Sequence, residues 1–217
     1  MSVKVKICGI TGETALNAAM AAGADFIGLV FFPPSPRHVS MARAAELAGM
    51  ARGKIAITAL VVDANDALIR EIAEKIRPDY LQLHGSESPG RAEEIAQMAA
   101  APVIKAFRVR AAADVTAAGA YAGVIAFPLF DAWVDEEASK GLPGGTGHAF
   151  DWSLLSARAG PFMLAGGLNP QNVAGALRRT GAPMVDVSSG VESARGVKDA
   201  AAITAFVKAA KSISNAS

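Results

Sequence analysis

The chain has 217 residues, with 21 basic and 20 acidic side chains and a formal net charge of +1 at pH 7. This length suits one large α/β domain and no Pro/Gly/Ser-rich linker divides the chain, so we expect a single domain over residues 1–217. Lys and Arg form no cluster, and no apolar run approaches the roughly 20 residues of a membrane span. The sequence therefore argues against nucleic acid or a membrane as a partner.

The single cysteine, Cys8, excludes an internal disulfide. Together with a first segment, Met1-Ser2-Val3-Lys4, that runs directly into a strand, it predicts a cytoplasmic protein. The three histidines, His38, His84 and His148, show none of the spacings typical of metal ligands. We expect no metal site built by the protein.

Strands and helices are predicted to alternate along the whole chain. The strands are apolar runs or period-two patterns, and the helices begin at capping residues and end near Gly or Pro. The predicted strands span residues 3–8, 25–32, 54–62, 80–83, 102–107, 123–129, 162–165 and 183–187. The predicted helices span residues 11–23, 40–52, 65–77, 88–100, 111–119 and 151–155, a segment that starts at Asn169-Pro170, and residues 199–211.

This alternation predicts the fold class. Eight strands, each followed by a helix, are typical of a single (β/α)8 barrel, the TIM barrel. A doubly wound open sheet is the alternative. It usually has fewer strands and often a glycine-rich turn after the first strand, which is missing here.

Polar residues recur at alternating positions of several predicted strands. In a barrel the outer strand face packs against helices and is apolar, so such residues point into the lumen or its mouth. Active sites of this architecture lie at the C-terminal mouth, which favours Cys8 as a reactive group over Cys8 as a small core residue. Lys4 fits a structural ion pair at least as well as a catalytic role. The residues on inward phases are Lys4, Lys6, Cys8, Gln82, His84, Lys105 and Asp186.

The ends of the seventh and eighth predicted strands are rich in glycine and serine. Glycines let a ligand approach the backbone closely, and a short helix beginning near Ser189 would add the positive end of its dipole. Barrels commonly hold phosphate after these two strands. We therefore predict that a phosphorylated small molecule binds to Gly166, Gly167, Ser189 and Gly190.

Residues 131–150 form a connection of about 20 residues without a periodic pattern. We interpret it as a flap over the mouth, with a tolerated insertion as the alternative. Asp131 at its root lies among aromatic residues, which tend to raise the pKa of a carboxyl and suit a general acid, although a cap is the simpler role. Arg37, in a proline-rich loop, is a candidate to grip a carboxylate, although most exposed arginines are only solvated.

Eight short motifs occur in order at these strand ends and loops. They are Lys6-Ile7-Cys8-Gly9-Ile10-Thr11, Ser35-Pro36-Arg37, Leu81-Gln82-Leu83-His84-Gly85, Leu129-Phe130-Asp131, Gly144-Gly145-Thr146-Gly147, Phe150-Asp151-Trp152, Leu164-Ala165-Gly166-Gly167-Leu168 and Asp186-Val187-Ser188-Ser189-Gly190-Val191-Glu192. Each motif alone is weak. Their order and placement from end to end resemble the phosphoribosylanthranilate isomerase family of tryptophan biosynthesis.

The resemblance implies a reaction and roles for individual residues. The reaction is the Amadori rearrangement of N-(5′-phosphoribosyl)anthranilate to 1-(2-carboxyphenylamino)-1-deoxyribulose 5-phosphate, without metal or organic cofactor. The family's general base falls on Cys8 and its general acid on Asp131, and Arg37 matches the residue that meets the anthranilate carboxylate. The glycines and serine after the last two strands match its phosphate cradle.

We assign Gln82, His84 and Asp186 to substrate binding, and we expect Lys6 to help lower the pKa of the Cys8 thiol. The partner is then a small phosphorylated substrate, and the protein is a monomer or a homodimer. Two other interpretations remain at this stage. One is a broader phosphosugar aldose–ketose isomerase, and the other is a barrel that binds phosphorylated ligands without catalysis.

Overall fold

The computed structural model describes residues 2–133, 151–155 and 160–213. Within these ranges eight parallel strands pair in chain order, and the eighth pairs with the first, which closes the sheet into a barrel. This confirms the (β/α)8 prediction and shows that the doubly wound alternative is wrong. Most of the predicted flap, residues 134–150, lies outside the described residues. No helix within these ranges is long and apolar enough to cross a membrane.

The elements alternate as the sequence predicts, with one hairpin added. The barrel strands are β1 (Lys4–Cys8), β2 (Phe26–Val30), β3 (Ala56–Val61), β4 (Tyr80–Leu83), β5 (Val103–Val109), β6 (Phe127–Ala132), β7 (Met163–Leu164) and β8 (Met184–Val187). The α-helices are α1 (Glu13–Ala22), α2 (Met41–Ala51), α3 (Asp66–Lys75), α4 (Pro89–Ala99), α5 (Ala112–Ala117), α6 (Val173–Thr180) and α7 (Ala200–Lys211). The hairpin pairs β9 (Glu192–Ala194) with β10 (Val197–Lys198).

Side-chain caps set the start of four helices. Ser40, Asn65, Ser88 and Asp199 each accept a hydrogen bond from the backbone N–H three residues further on, which satisfies one of the unpaired donors of the first turn. The first helix was expected to begin at Thr11 as its capping residue, which is wrong, because α1 begins after Gly12 and no side chain caps it.

Two local predictions differ from the structure after β6, and one hairpin there was not predicted. The expected helix over 151–155 is a short 3₁₀ helix, Trp152–Leu155. Helix α6 begins at Val173, not at Asn169, because the Asn169 side chain accepts two backbone N–H groups and holds a turn there. The β9–β10 hairpin was not predicted, since strands of three and two residues are too short to show a period.

The strands separate two cores. Outward-facing residues such as Ile7, Ile27 and Leu83 pack with the helices in one large apolar cluster. Inward-facing residues fill the barrel as a packed interior, as in other barrels of this size. The interior cluster contains Phe26, Ile104, Ala106, Phe127, Leu129, Met163, Ala165 and Met184.

Two glycines make room for the predicted site residues. Gly28 pairs with Cys8 across β1 and β2, and a Cβ at Gly28 would lie 2.8 Å from the Cys8 Sγ. Gly9 has φ +80°, and a Cβ there would lie 2.6 Å from the Cδ of Arg37. The thiol and the arginine stem therefore occupy space that only glycine leaves open.

We expect Gly28→Ala to destabilise the protein by about 1–3 kcal/mol, because the new methyl group must displace the Cys8 side chain in a packed barrel. Gly49→Ala is the matched control. Gly49 lies on the exposed side of α2, and a Cβ there would meet no neighbouring atom within 4 Å, so this variant should gain about 0.5–1 kcal/mol from helix propensity. Urea denaturation measures both, and equal effects would contradict the role of Gly28.

Candidate active site

A fully buried lysine lies in the centre of the polar side chains inside the barrel. The Lys6 Nζ donates hydrogen bonds to the Gln82 Oε1 at 2.8 Å and to the Asp186 Oδ1 at 3.1 Å. Burial alone would lower the pKa of Lys6, but the facing carboxylate of Asp186 and the Cys8 thiol hold it above the ordinary value. For Asp186, burial raises the pKa and the ammonium of Lys6 only partly offsets it.

The hydrogen bonds continue from Gln82 towards Asp131. The Gln82 Nε2 lies 3.1 Å from the His84 Nδ1, and the His84 Nε2 lies 3.4 Å from the Asp131 Oδ2. This last distance suits an ion pair, but its geometry is not that of a hydrogen bond, so Nε2 has no hydrogen-bond partner among the described residues. The other oxygen of Asp131 accepts the backbone N–H of Ala132 at 2.9 Å.

The structure thus brings Cys8, Gln82, His84, Asp131 and Asp186 together at the inner face of the barrel. They come from strands β1, β4, β6 and β8 and the residue that follows β4. Asp131 lies inside β6 and not beyond it, because this strand runs further than predicted. We define the set Asp186, Lys6, Gln82, His84 and Asp131 as the buried row.

The Cys8 thiol interacts electrostatically with two ammonium groups, those of Lys6 and Lys198. Burial raises the pKa of Cys8, the charge of Lys6 lowers it, that of Asp186 raises it, and that of Lys198 lowers it. Burial prevails, so the pKa lies above the ordinary value although Lys6 acts in the expected direction. Sequence reasoning did not find Lys198, whose side chain is fully buried and whose Nζ donates to the Ser188 carbonyl at 2.9 Å.

Arg37 is not an exposed, solvated arginine. Its side chain is buried, and it donates to Glu192 in bidentate fashion, from Nε to Oε1 at 2.7 Å and from Nη2 to Oε2 at 2.9 Å. Glu192 also accepts from the Lys198 Nζ at 2.7 Å and from the Gly196 backbone N–H at 3.0 Å. The β9–β10 hairpin therefore links the guanidinium to the ammonium beside the thiol.

Glu192 is a second residue that sequence reasoning passed over. It belongs to the last of the eight motifs, but neither hydrophobic periodicity nor residue spacing predicts its contact with Arg37. Burial raises the pKa of Glu192, yet the hydrogen bonds and charges of Arg37 and Lys198 outweigh burial and bring it to about 2.

The predicted phosphate cradle is formed by two touching loops. Gly166 and Gly167 have φ of +85° and +65°, and a Cβ at Gly190 would overlap the carbonyl oxygen of Leu168. Ser189 and Gly190 begin a 3₁₀ helix of 3 residues. Within the described ranges the N–H groups of Gly166 and Gly167 donate no backbone hydrogen bond. Phosphate binding here stays a prediction that this geometry suits.

Two lysines lie elsewhere than predicted. Lys105 was placed on an inward phase, which is wrong, because its neighbours Ile104 and Ala106 face the interior. The Lys105 Nζ binds the Gly85 carbonyl at 2.8 Å and the Glu87 Oε2 at 3.2 Å, so it supports the loop that follows His84. Lys4 is exposed at the N-terminal end of β1. In the described part of the chain, no group of three or more His, Cys, Asp or Glu residues is placed to hold a metal ion.

A closed parallel barrel that holds a thiol, a carboxylate and a buried arginine among its C-terminal strand ends defines a (β/α)8-barrel enzyme. Residues 5–209 match the family profile described as N-(5′-phosphoribosyl)anthranilate (PRA) isomerase. The protein named N-(5′-phosphoribosyl)anthranilate isomerase from Rhodopseudomonas palustris strain BisB5 is 53% identical over 213 residues, which cover 97% of each chain.

Solved structures agree with the family profile. Phosphoribosyl anthranilate isomerase from Thermotoga maritima superimposes with a TM-score of 0.86 at 34% identity, covering 97% of this chain and 100% of that chain. A structure of phosphoribosyl anthranilate isomerase in complex with reduced 1-(o-carboxyphenylamino)-1-deoxyribulose 5-phosphate gives a TM-score of 0.83 at 33% identity, with the same coverage. The chain belongs to the N-(5′-phosphoribosyl)anthranilate isomerase family.

We expect Glu192→Gln to lower the free energy of unfolding by about 2 kcal/mol at pH 7, because a buried charge-assisted acceptor is lost. The carboxylate stabilises the folded protein fully above its unfolded pKa of about 4.5, and this stabilisation is lost as the pH falls towards about 2. The difference in unfolding free energy between variant and parent should therefore shrink between pH 5 and pH 2 in urea denaturation.

Glu46→Gln, which removes an exposed ion pair, is the control and should stay within about 0.5 kcal/mol of the parent. A loss of stability equal to that of Glu192→Gln would contradict the role assigned to Glu192.

We expect Lys198→Met to raise the pKa of the Cys8 thiol further, since one of two positive charges that favour the thiolate is removed. At a fixed pH below the thiol pKa, alkylation of Cys8 by iodoacetamide should slow several-fold. Cys8 is the only cysteine of the chain, so the label reports this site alone. Lys208→Met, on the exposed side of α7, is the control and should leave the rate unchanged. An alkylation rate that does not respond to Lys198→Met would show that Lys198 has no influence on the thiol.

Proposed function

We propose that the chain converts N-(5′-phosphoribosyl)anthranilate to 1-(2-carboxyphenylamino)-1-deoxyribulose 5-phosphate by general acid–base catalysis, with Asp131 as the acid and Cys8 as the base. The observation that carries the proposal is the placement of both groups on inward phases of strands β1 and β6, joined by the buried row. Family membership supports the substrate, and the bound ligand of the related structure is the reduced form of the product.

The chemistry needs one proton delivered and one removed. Asp131 protonates the furanose ring oxygen, the ring opens, and the nitrogen lone pair forms an iminium at C1′. The iminium acidifies the C2′ proton, which the Cys8 thiolate takes. The resulting enolamine becomes the ketone when Cys8 gives its proton to C1′ and the 2′-hydroxyl gives its proton to Asp131, which returns both side chains to their starting states. Each step uses a protein side chain, so the mechanism needs no metal and no organic cofactor.

Both groups must be in the less common protonation state at neutral pH. An aspartic acid with an ordinary pKa of about 3.9 is protonated in about one molecule in a thousand at pH 7, a cost of about 4 kcal/mol. A thiol whose pKa is raised by burial is largely neutral, and bringing it to the thiolate has a further cost. At the thiol, the positive charges of Lys6 and Lys198 lower this cost.

The remaining polar groups suit the two ends of the substrate. The guanidinium of Arg37, which is oriented by its two hydrogen bonds to Glu192, is the group we assign to the anthranilate carboxylate. The loops that contain Gly166, Gly167, Ser189 and Gly190 are assigned to the phosphate. We further propose that one domain, residues 1–217, carries the whole activity and that the protein works in the cytoplasm, as its free cysteine favours.

The test is the loss of anthranilate fluorescence when freshly made phosphoribosylanthranilate is mixed with the enzyme in EDTA. The parent should turn over, and Asp131→Asn and Cys8→Ser should each lower kcat by about 10² or more, the usual size of an acid or base contribution. Asp66→Asn, a matched change at an exposed ion pair, should keep the parental rate.

Two outcomes would redirect the assignment. A well-folded parent without turnover would leave a barrel that binds phosphorylated ligands. Turnover that persists in both site variants would show that the acid and base lie elsewhere. Assays with an aminoaldose phosphate of different chemistry, such as an aminoimidazole carboxamide ribotide, separate a broader phosphosugar isomerase from one restricted to the anthranilate.

A further inference from the structure

The buried row contains two residues whose proposed task, substrate binding, does not explain their contacts. Gln82 bonds to Lys6 and His84, and its side chain is fully buried. We propose that Gln82 is a positioning residue that holds His84 as a neutral imidazole with its proton on Nε2, facing Asp131. This inference rests on the proposed function of Asp131 as the general acid.

The first step fixes the orientation of the Gln82 amide. The oxygen and nitrogen of a side-chain amide are assigned from their partners, and an ammonium group only donates hydrogen bonds. The atom that faces the Lys6 Nζ at 2.8 Å is therefore the amide oxygen. Lys6 stays charged because the carboxylate of Asp186 lies 3.1 Å from the same nitrogen.

The second step fixes the protonation of His84. With its oxygen turned to Lys6, Gln82 presents its NH₂ group to the His84 Nδ1 at 3.1 Å. A ring nitrogen that accepts a hydrogen bond carries no proton, and an imidazolium has a proton on both nitrogens. The row therefore excludes the imidazolium and selects the neutral tautomer with the proton on Nε2.

The third step connects this tautomer to the acid. The His84 Nε2 lies 3.4 Å from the Asp131 Oδ2, and both side chains are nearly buried. An imidazolium at this distance would favour the ionised carboxylate, whereas a general acid has to carry its proton. A neutral imidazole adds no net positive charge beside the carboxyl group, so the charge of His84 does not oppose a proton on Asp131.

The charged groups around His84 make such control necessary. Asp131 from β6 faces it directly, and Asp186 from β8 interacts with it electrostatically. Both carboxylates would draw a proton onto the imidazole. Lys6 from β1 opposes them, directly through its charge and indirectly through the amide orientation that it imposes.

Nitrogen-15 NMR of the parent enzyme labelled at histidine tests the proposal without any assay of activity. The His84 signals, assigned by their loss in His84→Gln, should show a protonated Nε2 and an unprotonated Nδ1 at pH 7.5. A protonated Nδ1, or an imidazolium, would overturn the proposal. Because the parent itself is measured, the result stands even where variants do not fold.

Gln82→Glu is the matched variant. A carboxylate of the same shape accepts from Lys6 on one oxygen and can only accept from His84 on the other, so Nδ1 must become protonated. We expect the His84 signals to show a protonated Nδ1. The His84 Nε2 then either accepts the proton of Asp131 or belongs to a positively charged ring, and in both cases Asp131 delivers its proton to the substrate less readily, so kcat should fall by about 10² at pH 7.5, the scale of one acid contribution. Gln97→Glu, on the exposed outer side of α4, is the control and should change neither readout.

The outcomes separate this proposal from the proposed function. The expected parental tautomer with no turnover on phosphoribosylanthranilate would overturn the function and leave the positioning role of Gln82. A Gln82→Glu enzyme whose His84 keeps an unprotonated Nδ1, or whose Nδ1 is protonated while kcat is unchanged, would overturn the positioning role while the isomerase assignment stands.

Discussion

The rest of the site depends on one buried cation, the ammonium of Lys6. An ammonium group without water is costly to bury unless partners surround it. Asp186 supplies the charge and Gln82 the acceptor, and both come from strands far from β1 in the sequence. The need to satisfy this one charge orients the Gln82 amide and, through it, His84. Substitution of Lys6 should therefore change the inner face of the barrel as a whole.

A second cluster of charged side chains, around the Glu192 carboxylate at the rim of the barrel, also depends on mutual neutralisation of its charges. Glu192 is held by Arg37, Lys198 and the Gly196 N–H, so one carboxylate fixes both a guanidinium and an ammonium. The ammonium lies beside the thiol and the guanidinium is our candidate for the substrate carboxylate. The β9–β10 hairpin gives these groups a common support, although its strands add nothing to the barrel itself.

The charged groups around Lys6 and those around Glu192 serve different steps of the proposed reaction. Positive charge is concentrated around Cys8, where a thiolate is needed, and the buried row keeps further positive charge from Asp131, where a protonated carboxyl is needed. A barrel suits this division because its strands deliver side chains from opposite sides of one lumen. Glycines at positions 9 and 28 provide the space in which the arginine and the thiol fit.

The sequence by itself determined the order of strands and helices, the barrel, most helix caps, and the faces of Cys8, Gln82 and Asp186, because each follows from local periodicity or capping chemistry. Only the tertiary structure decided the outward face of Lys105, where the phase assigned to β5 was off by one residue. It alone revealed the partners Glu192 and Lys198. Arg37 and Glu192 are 155 residues apart, and their contact exists because barrel closure pairs β8 with β1, the neighbour of β2, so that the segments after β2 and β8 come together. Local sequence patterns predict the strand face on which a side chain lies. The pairing of the strands around the barrel decides which of these side chains come into contact.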